Sequence, residues 1–267
     1  MLHAETIDGT PRLAVDRCGD SGPLVIFLHG IGGQRSNWTQ QLAALSPGFT
    51  AVAWDARGYG DSEDYGSALD FGDFSADLLR VMTYYGAQQC HLVGLSMGGR
   101  IALDFYGRHP QRVLSLVLAD TSVNSGDAVD PAKIEEFLAL RLAPLQNGKE
   151  PADIAPQVVE SLVGLNTPPA VRATLQESLA SLHKESYMKT LACVTRYQGF
   201  PAFEAVAVPT LVVAGREDKI ARPEIVEAMA AGIPGSELVW IENAGHVSNV
   251  EQPAAFNAAL LDFLARN

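Results

Sequence analysis

Short apolar runs recur along the chain, and most are followed by a segment in which apolar residues return every three or four positions. The runs have the length of buried strands and lie at residues 23–28, 50–54, 90–95, 113–119, 210–214 and 237–241. The clearest amphipathic helical segments are residues 73–85, 99–108, 223–231 and 253–266. This alternation predicts an α/β fold with a mostly parallel, doubly wound sheet covered by helices on both faces.

Two stretches depart from this alternation. Residues 4–17 carry an Asp8-Gly9 turn signal between two strand-like pieces, which predicts an antiparallel hairpin at the edge of the sheet. Between residues 124 and 203 the strand pattern disappears and prolines punctuate short helical stretches. Because strands resume afterwards and need the earlier sheet for pairing, we interpret 124–203 as a helical cap inserted into a core domain formed by 1–123 and 204–267. A separate helical domain is the alternative.

Composition and charge narrow the classes of partner. The 267 residues are 47% hydrophobic and 19% charged, which is typical of a globular protein with a sizeable core. The net charge of −12 repels phosphate backbones, so we expect no nucleic-acid partner, although local cations would still permit a small carboxylate substrate. No apolar stretch approaches roughly 18 residues and the start lacks a secretory pattern, so we expect no membrane association and a cytoplasmic protein.

The strongest motif is a Gly-x-Ser-x-Gly sequence centred on Ser96, directly after a predicted strand and before a predicted helix. In this context a serine is raised on a sharp turn, and Gly94 and Gly98 are required because side chains there would collide with neighbouring backbone. The helix that follows directs its amide dipoles towards developing negative charge. The motif therefore predicts Ser96 as a catalytic nucleophile.

A serine nucleophile needs a base, and the base needs an orienting acid. His246 lies in the loop between the last predicted strand and the final helix, where it could reach the serine, and we predict it as the base. Asp218 and Asp120 both follow a predicted strand and both fit the chain order serine, acid, histidine. We favour Asp218, whose strand immediately precedes the histidine strand. Asp120 stays as the alternative acid, and Glu217 is a weaker third one.

An oxyanion hole requires two preorganised N–H donors. We assign the backbone N–H of Met97, directly after the nucleophile, as the first donor. The glycine-rich loop 29–33 follows an earlier strand, and we assign the backbone N–H of Ile31 as the second. His29 is interpreted as a residue that braces this loop.

A substrate pocket is less clearly indicated by the sequence. Apolar residues that could line it, or equally pack in the core, are Trp38, Phe137, Leu140 and Tyr197. A substrate carboxylate could be bound by Arg100 behind the nucleophile or by a cap cation such as Arg141, Arg172 or Arg196. A solvated surface charge is the alternative for each of these arginines.

These motifs together resemble the α/β-hydrolase superfamily over nearly the whole chain. The resemblance is carried by His29-Gly30, the turn segment 55–62, the serine motif, Asp218 and Gly245-His246. Residues 94–99 and the tail 246–257 are most similar to 3-oxoadipate enol-lactonases and related carboxylesterases. The resemblance implies an α/β-hydrolase fold with a catalytic triad. Residues Asp55 and Arg57 of the turn segment are interpreted as scaffold residues.

The leading hypothesis is hydrolysis of a small-molecule ester or lactone through an acyl-enzyme. Such chemistry needs no metal or organic cofactor, and three widely spaced cysteines and the absence of nucleotide or zinc motifs indicate none. One alternative keeps the triad but cleaves a carbon–carbon bond of a ring-cleavage product, or performs cofactor-free perhydrolysis. An alternative of another class is a ligand-binding receptor that hydrolyses slowly.

Overall fold

A single eight-stranded sheet forms the centre of the computed structural model, which describes residues 1–123 and 130–267. The strands are β1 (Leu2–Ile7), β2 (Leu13–Cys18), β3 (Leu24–Leu28), β4 (Thr50–Trp54), β5 (Cys90–Leu95), β6 (Val113–Ala119), β7 (Thr210–Gly215) and β8 (Glu237–Ile241). Their order across the sheet is β1-β2-β4-β3-β5-β6-β7-β8. The six strands predicted from the apolar runs are confirmed to within one residue at each end.

The direction of the strands follows the sequence pattern. β1 and β2 pair antiparallel as the predicted edge hairpin, and β2 also pairs antiparallel with β4. The pairs from β4 through β8 are all parallel. β3, β5 and β7 are buried along their whole length, because helices cover both faces of the sheet, and this explains their uninterrupted apolar runs.

Helices of the core segments flank the sheet. They are α1 (Thr39–Leu45), α2 (Gly72–Tyr84), α3 (Met97–Arg108), α8 (Pro223–Gly232), α9 (Ser248–Glu251) and α10 (Pro253–Leu264). The predicted helix at 99–108 begins two residues earlier, directly after Ser96. The seven-residue α1 and the four-residue α9 were not predicted, because helices so short carry too few periodic positions to be recognised.

The described residues between β6 and β7 form four α-helices, namely α4 (Pro131–Gln146), α5 (Pro151–Leu162), α6 (Pro169–Ala180) and α7 (Lys184–Arg196). α4 packs with α7 and α5 packs with α6. Proline occupies the first turn of α4, α5 and α6, where its missing N–H costs nothing, whereas Pro144 and Pro156 lie inside helices. Residue 124, the predicted start of the cap, lies outside the described residues, and the domain boundaries stay a prediction. No helix in the described ranges is both long and apolar enough to span a bilayer.

Candidate active site

Ser96 stands on a strained turn between β5 and α3. Its backbone has φ 53° and ψ −112°, a conformation that a non-glycine residue adopts only when its surroundings enforce it. A Cβ at Gly94 would overlap the carbonyl of Gly98, and one at Gly98 would overlap the carbonyl of Leu28. The two glycines therefore allow α3 to pack closely on the sheet, and this packing holds Ser96 at the carboxyl edge of the strands.

Ser96, His246 and Asp218 form a continuous hydrogen-bonded chain. The Ser96 Oγ lies 2.8 Å from His246 Nε2, and His246 Nδ1 lies 2.8 Å from Asp218 Oδ2. Asp218 Oδ1 accepts from the N–H groups of Ile220 at 2.7 Å and Ala221 at 3.0 Å, so the carboxylate is held in one orientation. These contacts leave the unprotonated Nε2 of His246 directed at the serine hydroxyl.

The ionisation of His246 reflects two opposing effects. Burial lowers its pKa, but the hydrogen bond and negative charge of Asp218, with smaller contributions from Asp120 and Glu251, leave the pKa above its ordinary value. Asp218 therefore stabilises the imidazolium form that a proton transfer from Ser96 would produce.

The alternative acid, Asp120, is fully buried after β6 but is used for other contacts. Its Oδ1 accepts from the N–H of Gly215 at 2.8 Å, and its Oδ2 accepts from the N–H of Ser248 at 3.0 Å and from the Ser248 hydroxyl at 2.6 Å. Burial raises the pKa of Asp120 to about 7. Glu217 accepts from the N–H of Leu165 at 2.6 Å. In the described part of the chain, neither carboxylate hydrogen-bonds His246.

The loop after β3 carries Ile31, the residue predicted to supply the second oxyanion N–H, to the wall of a cavity that Ser96 also borders. His29 braces this loop as expected, since its Nδ1 lies 2.8 Å from the Gly30 carbonyl oxygen and its Nε2 accepts from the Ala56 N–H at 3.0 Å. Burial lowers the pKa of His29, consistent with a neutral ring that donates at one nitrogen and accepts at the other. Ile31 and Met97 line a common cavity with Ser96, and within the described ranges neither N–H donates a loop or cap hydrogen bond.

Two cavities meet at the serine. The first has a volume of about 210 Å³ and a mainly apolar wall to which all four inserted helices contribute. Its lining includes Trp38, Phe137, Val158, Leu162, Leu175, Leu179, Tyr187 and Leu191. The second has a volume of about 360 Å³, and α3, α4 and α7 contribute to its wall. Ser96, Ile31, Phe137, Leu191, Ile220 and His246 border both, so a substrate bound at the serine would extend into two differently lined spaces.

The predicted pocket residues are only partly brought together. Trp38 lines the first cavity, Phe137 lines both and Arg100 lines the second. Leu140 is 72% exposed and borders neither, because it lies on the outer side of α4. Tyr197 also borders neither, since its ring stacks on Phe71 at 4.0 Å and its hydroxyl donates to Asp104. The sequence offered Leu140 and Tyr197 as possible pocket residues, and neither of them lines these two cavities.

The three predicted cap cations occupy different environments. Arg141 borders the first cavity with its guanidinium 5.4 Å from the centre of the Phe137 ring. Arg172 pairs with Glu160, and Arg196 forms two hydrogen bonds with Glu135 at 2.7 and 2.8 Å. The latter two arginines are thus occupied at the surface and border neither cavity.

Glu251 connects the loop that carries His246 (the histidine loop) to the segment between α5 and α6. Sequence reasoning missed this role. Its Oε1 accepts from the Gly245 N–H at 2.8 Å, and its Oε2 accepts from the Gly164 N–H at 2.7 Å and from the Thr167 hydroxyl. The backbone N–H of His246 also donates to the Leu162 carbonyl at 2.6 Å. Because Glu251 lies in a polar stretch of the tail, its burial has no signature in the sequence.

Replacing Glu251 with alanine is expected to lower the free energy of unfolding by about 2–4 kcal/mol, because three donors lose their acceptor in a buried position. Chemical denaturation of the variant measures this loss. Glu242→Ala is the matched control, since Glu242 is exposed and, within the part of the chain that the structure describes, pairs with Arg216 alone; a loss below about 1 kcal/mol is expected there. Similar losses in both variants would contradict the role given to Glu251.

Among the residues that the structure describes, no group of three or more His, Cys, Asp or Glu side chains is placed to hold a metal ion. The hydrogen-bonded chain of Ser96, His246 and Asp218 offers the chemistry of an activated hydroxyl.

Comparisons with known proteins agree with this fold. The sequence pattern of the alpha/beta hydrolase fold family matches residues 23–253. A 2-hydroxy-6-oxononadienedioate/2-hydroxy-6-oxononatrienedioate hydrolase from Klebsiella pneumoniae is 28% identical over 278 residues, covering 100% of this chain and 95% of the relative.

Two solved structures are similar over almost their full length. A thermophilic esterase from Thermogutta terrifontis, with malate bound, superposes with a TM-score of 0.86 at 28% identity, covering 100% of this chain and 98% of that one. An enol-lactonase from Burkholderia xenovorans superposes with a TM-score of 0.88, covering 98% and 100%, and at 24% identity it supports the fold alone. The chain belongs to the α/β-hydrolase fold family and is a hydrolase.

Proposed function

We propose that this chain hydrolyses small carboxylic esters or lactones by serine catalysis. The observation that carries the proposal is the hydrogen-bonded chain from Ser96 through His246 to Asp218, which opens into the two cavities. An isolated hydroxyl is a weak nucleophile at neutral pH, and a neutral imidazole 2.8 Å away supplies the missing base. The similar esterase of known structure supports this reaction class.

Acylation follows from the geometry. Ser96 Oγ attacks the carbonyl carbon while its proton passes to His246 Nε2, and the carbonyl oxygen becomes an oxyanion. The N–H groups of Ile31 and Met97 donate to this oxyanion, and the amino-terminal end of α3 adds a favourable dipole. When the tetrahedral intermediate collapses, the bond to the leaving oxygen breaks and His246 returns the proton to it. The alcohol leaves, and an ester between Ser96 and the acyl group remains.

Deacylation repeats these steps with water as the nucleophile. His246 accepts a proton from the water, whose oxygen attacks the acyl carbon, and the same two N–H groups stabilise the second oxyanion. Collapse breaks the bond to Ser96 Oγ, which regains its proton from His246. In a lactone the leaving alcohol stays attached to the acyl part, so one open-chain hydroxy acid, or its keto tautomer from an enol, is released.

A second candidate is hydrolysis of a carbon–carbon bond beside a ketone. The observation that favours it is the 28% identity, over the whole chain, with the Klebsiella hydrolase named for a dienedioate substrate. The same three residues would serve, but the leaving group would be a carbanion, stabilised as an enolate, which must be protonated at carbon.

Comparing p-nitrophenyl butyrate with a ring-cleavage dienedioate separates the two candidates. Ester hydrolysis predicts steady release of p-nitrophenol and stoichiometric labelling of Ser96 by a fluorophosphonate, located by mass spectrometry. Turnover of the dienedioate at least about 100-fold faster in kcat/KM than any ester would favour the second candidate. An initial burst of p-nitrophenol followed by almost no turnover would favour a slowly hydrolysing receptor.

The pH dependence of ester hydrolysis is expected to report His246. The base must be neutral to accept the serine proton, so kcat/KM should fall about tenfold per pH unit below the pKa of His246 and level off above it. Because Asp218 holds that pKa above its ordinary value, the midpoint should lie above the ordinary histidine pKa and move to lower pH in Asp218→Asn. A rate profile between about pH 5 and 9 measures this, and an unshifted midpoint would contradict the assigned partnership.

A further inference from the structure

The second cavity at Ser96 is lined by positive charge in a protein whose net charge is −12. Arg100 and Lys133 border it, together with the polar side chains of Thr121, Ser122 and Gln198. The described lining residues include no carboxylate. Local cations of this kind reverse the field that the rest of the surface imposes on an approaching anion.

Arg100 lies one helical turn after Ser96 on α3, and no acidic side chain of the described ranges pairs with it. Its Nη2 donates to the Tyr197 carbonyl at 3.0 Å, while its Nε is buried with no hydrogen-bond partner among the described residues. Its guanidinium also lies 4.9 Å from the centre of the Phe200 ring. Burial lowers the pKa of Arg100 to about 10, and no carboxylate opposes this effect. The group therefore stays charged at neutral pH without a counter-ion.

Two other partly buried arginines of this chain are neutralised by carboxylates. Arg57 forms two hydrogen bonds with Asp77 at 2.7 and 2.9 Å, and Arg35 contacts Asp16 and Asp55. A buried guanidinium without a counter-ion lowers the stability of the folded protein, unless an anion from outside the chain pairs with it. The cavity in front of Arg100 offers room for such an anion.

We propose that the second cavity is a carboxylate subsite, in which Arg100, assisted by Lys133, binds an acid group of the substrate. The substrate class is then a monoanionic ester or lactone with its carboxylate on one side of the scissile bond. The smaller, mainly apolar first cavity takes the other side. The inference rests on the proposed ester or lactone hydrolysis and adds the charge of the substrate to it.

Two matched pairs of esters test the preference. In the first pair the acyl part carries the charge: mono-p-nitrophenyl glutarate is compared with its neutral methyl ester. In the second pair the alcohol part carries it: the butanoyl ester of 4-hydroxybutanoate is compared with its methyl ester. We expect kcat/KM for the anionic member to be at least about tenfold higher in one of the pairs, as charge-assisted hydrogen bonds require. No preference in either pair would overturn the proposal.

Variants of the lining residues test whether the second cavity causes the preference for the anionic ester. Arg100→Met should raise KM for the preferred anionic ester about 10–100-fold while changing the neutral member less than about threefold. Lys133→Ala, at an exposed position, should raise the same KM about threefold. Arg112→Met is the matched control: its Nε is also buried without a partner and its Nη2 also donates to a backbone carbonyl, but it borders neither cavity. Equal effects of Arg100→Met on both esters, with its melting temperature unchanged, would overturn the assignment.

If the proposed ester hydrolysis itself were wrong, none of the four esters would be hydrolysed, and this outcome differs from those that overturn the subsite. In that case isothermal titration calorimetry with glutarate decides the subsite without any turnover. Binding that weakens at least about tenfold in Arg100→Met and not in Arg112→Met would support it. Absent binding, or equal binding by both variants, would overturn it.

Discussion

Replacing Ser96 with alanine is expected to lower kcat for ester hydrolysis by about 10⁴–10⁶-fold. The variant keeps both cavities and the two N–H groups proposed to bind the oxyanion, but it lacks the hydroxyl on which the proposed acyl-enzyme forms. The substrate should therefore still bind, and KM should change little. Residual activity above the uncatalysed rate would come from binding and the oxyanion donors alone.

Steady-state kinetics with p-nitrophenyl butyrate measure this loss, and labelling by a fluorophosphonate should vanish in the same variant. Ser181→Ala is a suitable control, because Ser181 is exposed and its hydroxyl donates only to the Ser178 carbonyl. Its kcat should stay within about twofold of wild type. If Ser96→Ala retained more than about a tenth of the wild-type kcat, Ser96 would not be the nucleophile.

The second large effect is expected at the orienting acid. Asp218→Asn should lower kcat about 10³–10⁴-fold, because the asparagine amide presents a donor or a neutral oxygen to His246 Nδ1 and favours the wrong tautomer. The amide oxygen of the asparagine can still accept hydrogen bonds from the N–H groups of Ile220 and Ala221, so folding should be largely preserved.

Asp120→Asn is the matched comparison and should show the opposite pattern. Asp120 accepts three hydrogen bonds from Gly215 and Ser248, and an amide nitrogen facing one of these donors leaves it unsatisfied. We expect the free energy of unfolding to fall by about 1–3 kcal/mol and kcat to fall less than about tenfold. Kinetics and chemical denaturation on both variants measure the contrast. A larger kcat loss in Asp120→Asn than in Asp218→Asn would move the acid to the end of β6.

These two carboxylates show where sequence reasoning reaches its limit. Both follow a parallel strand at the same edge of the sheet, and both satisfy the chain order of a triad. The side-chain contacts distinguish them: one oxygen of Asp218 meets His246, whereas both oxygens of Asp120 are used by Gly215 and Ser248. The favoured interpretation of Asp218 agrees with this geometry.

The four candidate arginines are a second case in which the sequence could not choose among equivalent residues. Arg100, Arg141, Arg172 and Arg196 were equivalent candidates for a carboxylate site in the sequence. The fold pairs Arg172 and Arg196 with surface acids and places Arg141 beside an aromatic ring at the apolar cavity. Arg100 alone of these four combines a buried nitrogen that has no partner among the described residues with a position at the second cavity.

The amino-acid sequence by itself determined the strand and helix alternation, the edge hairpin, the strained serine turn and the position of the candidate histidine. These features follow from local periodicity and from short motifs whose glycines are required by backbone sterics. Only the tertiary structure decided which acid meets His246, that Glu251 holds the histidine loop to the inserted helices, and that Leu140 and Tyr197 lie away from the cavities. Such choices depend on contacts between residues far apart in the chain, which no local pattern encodes.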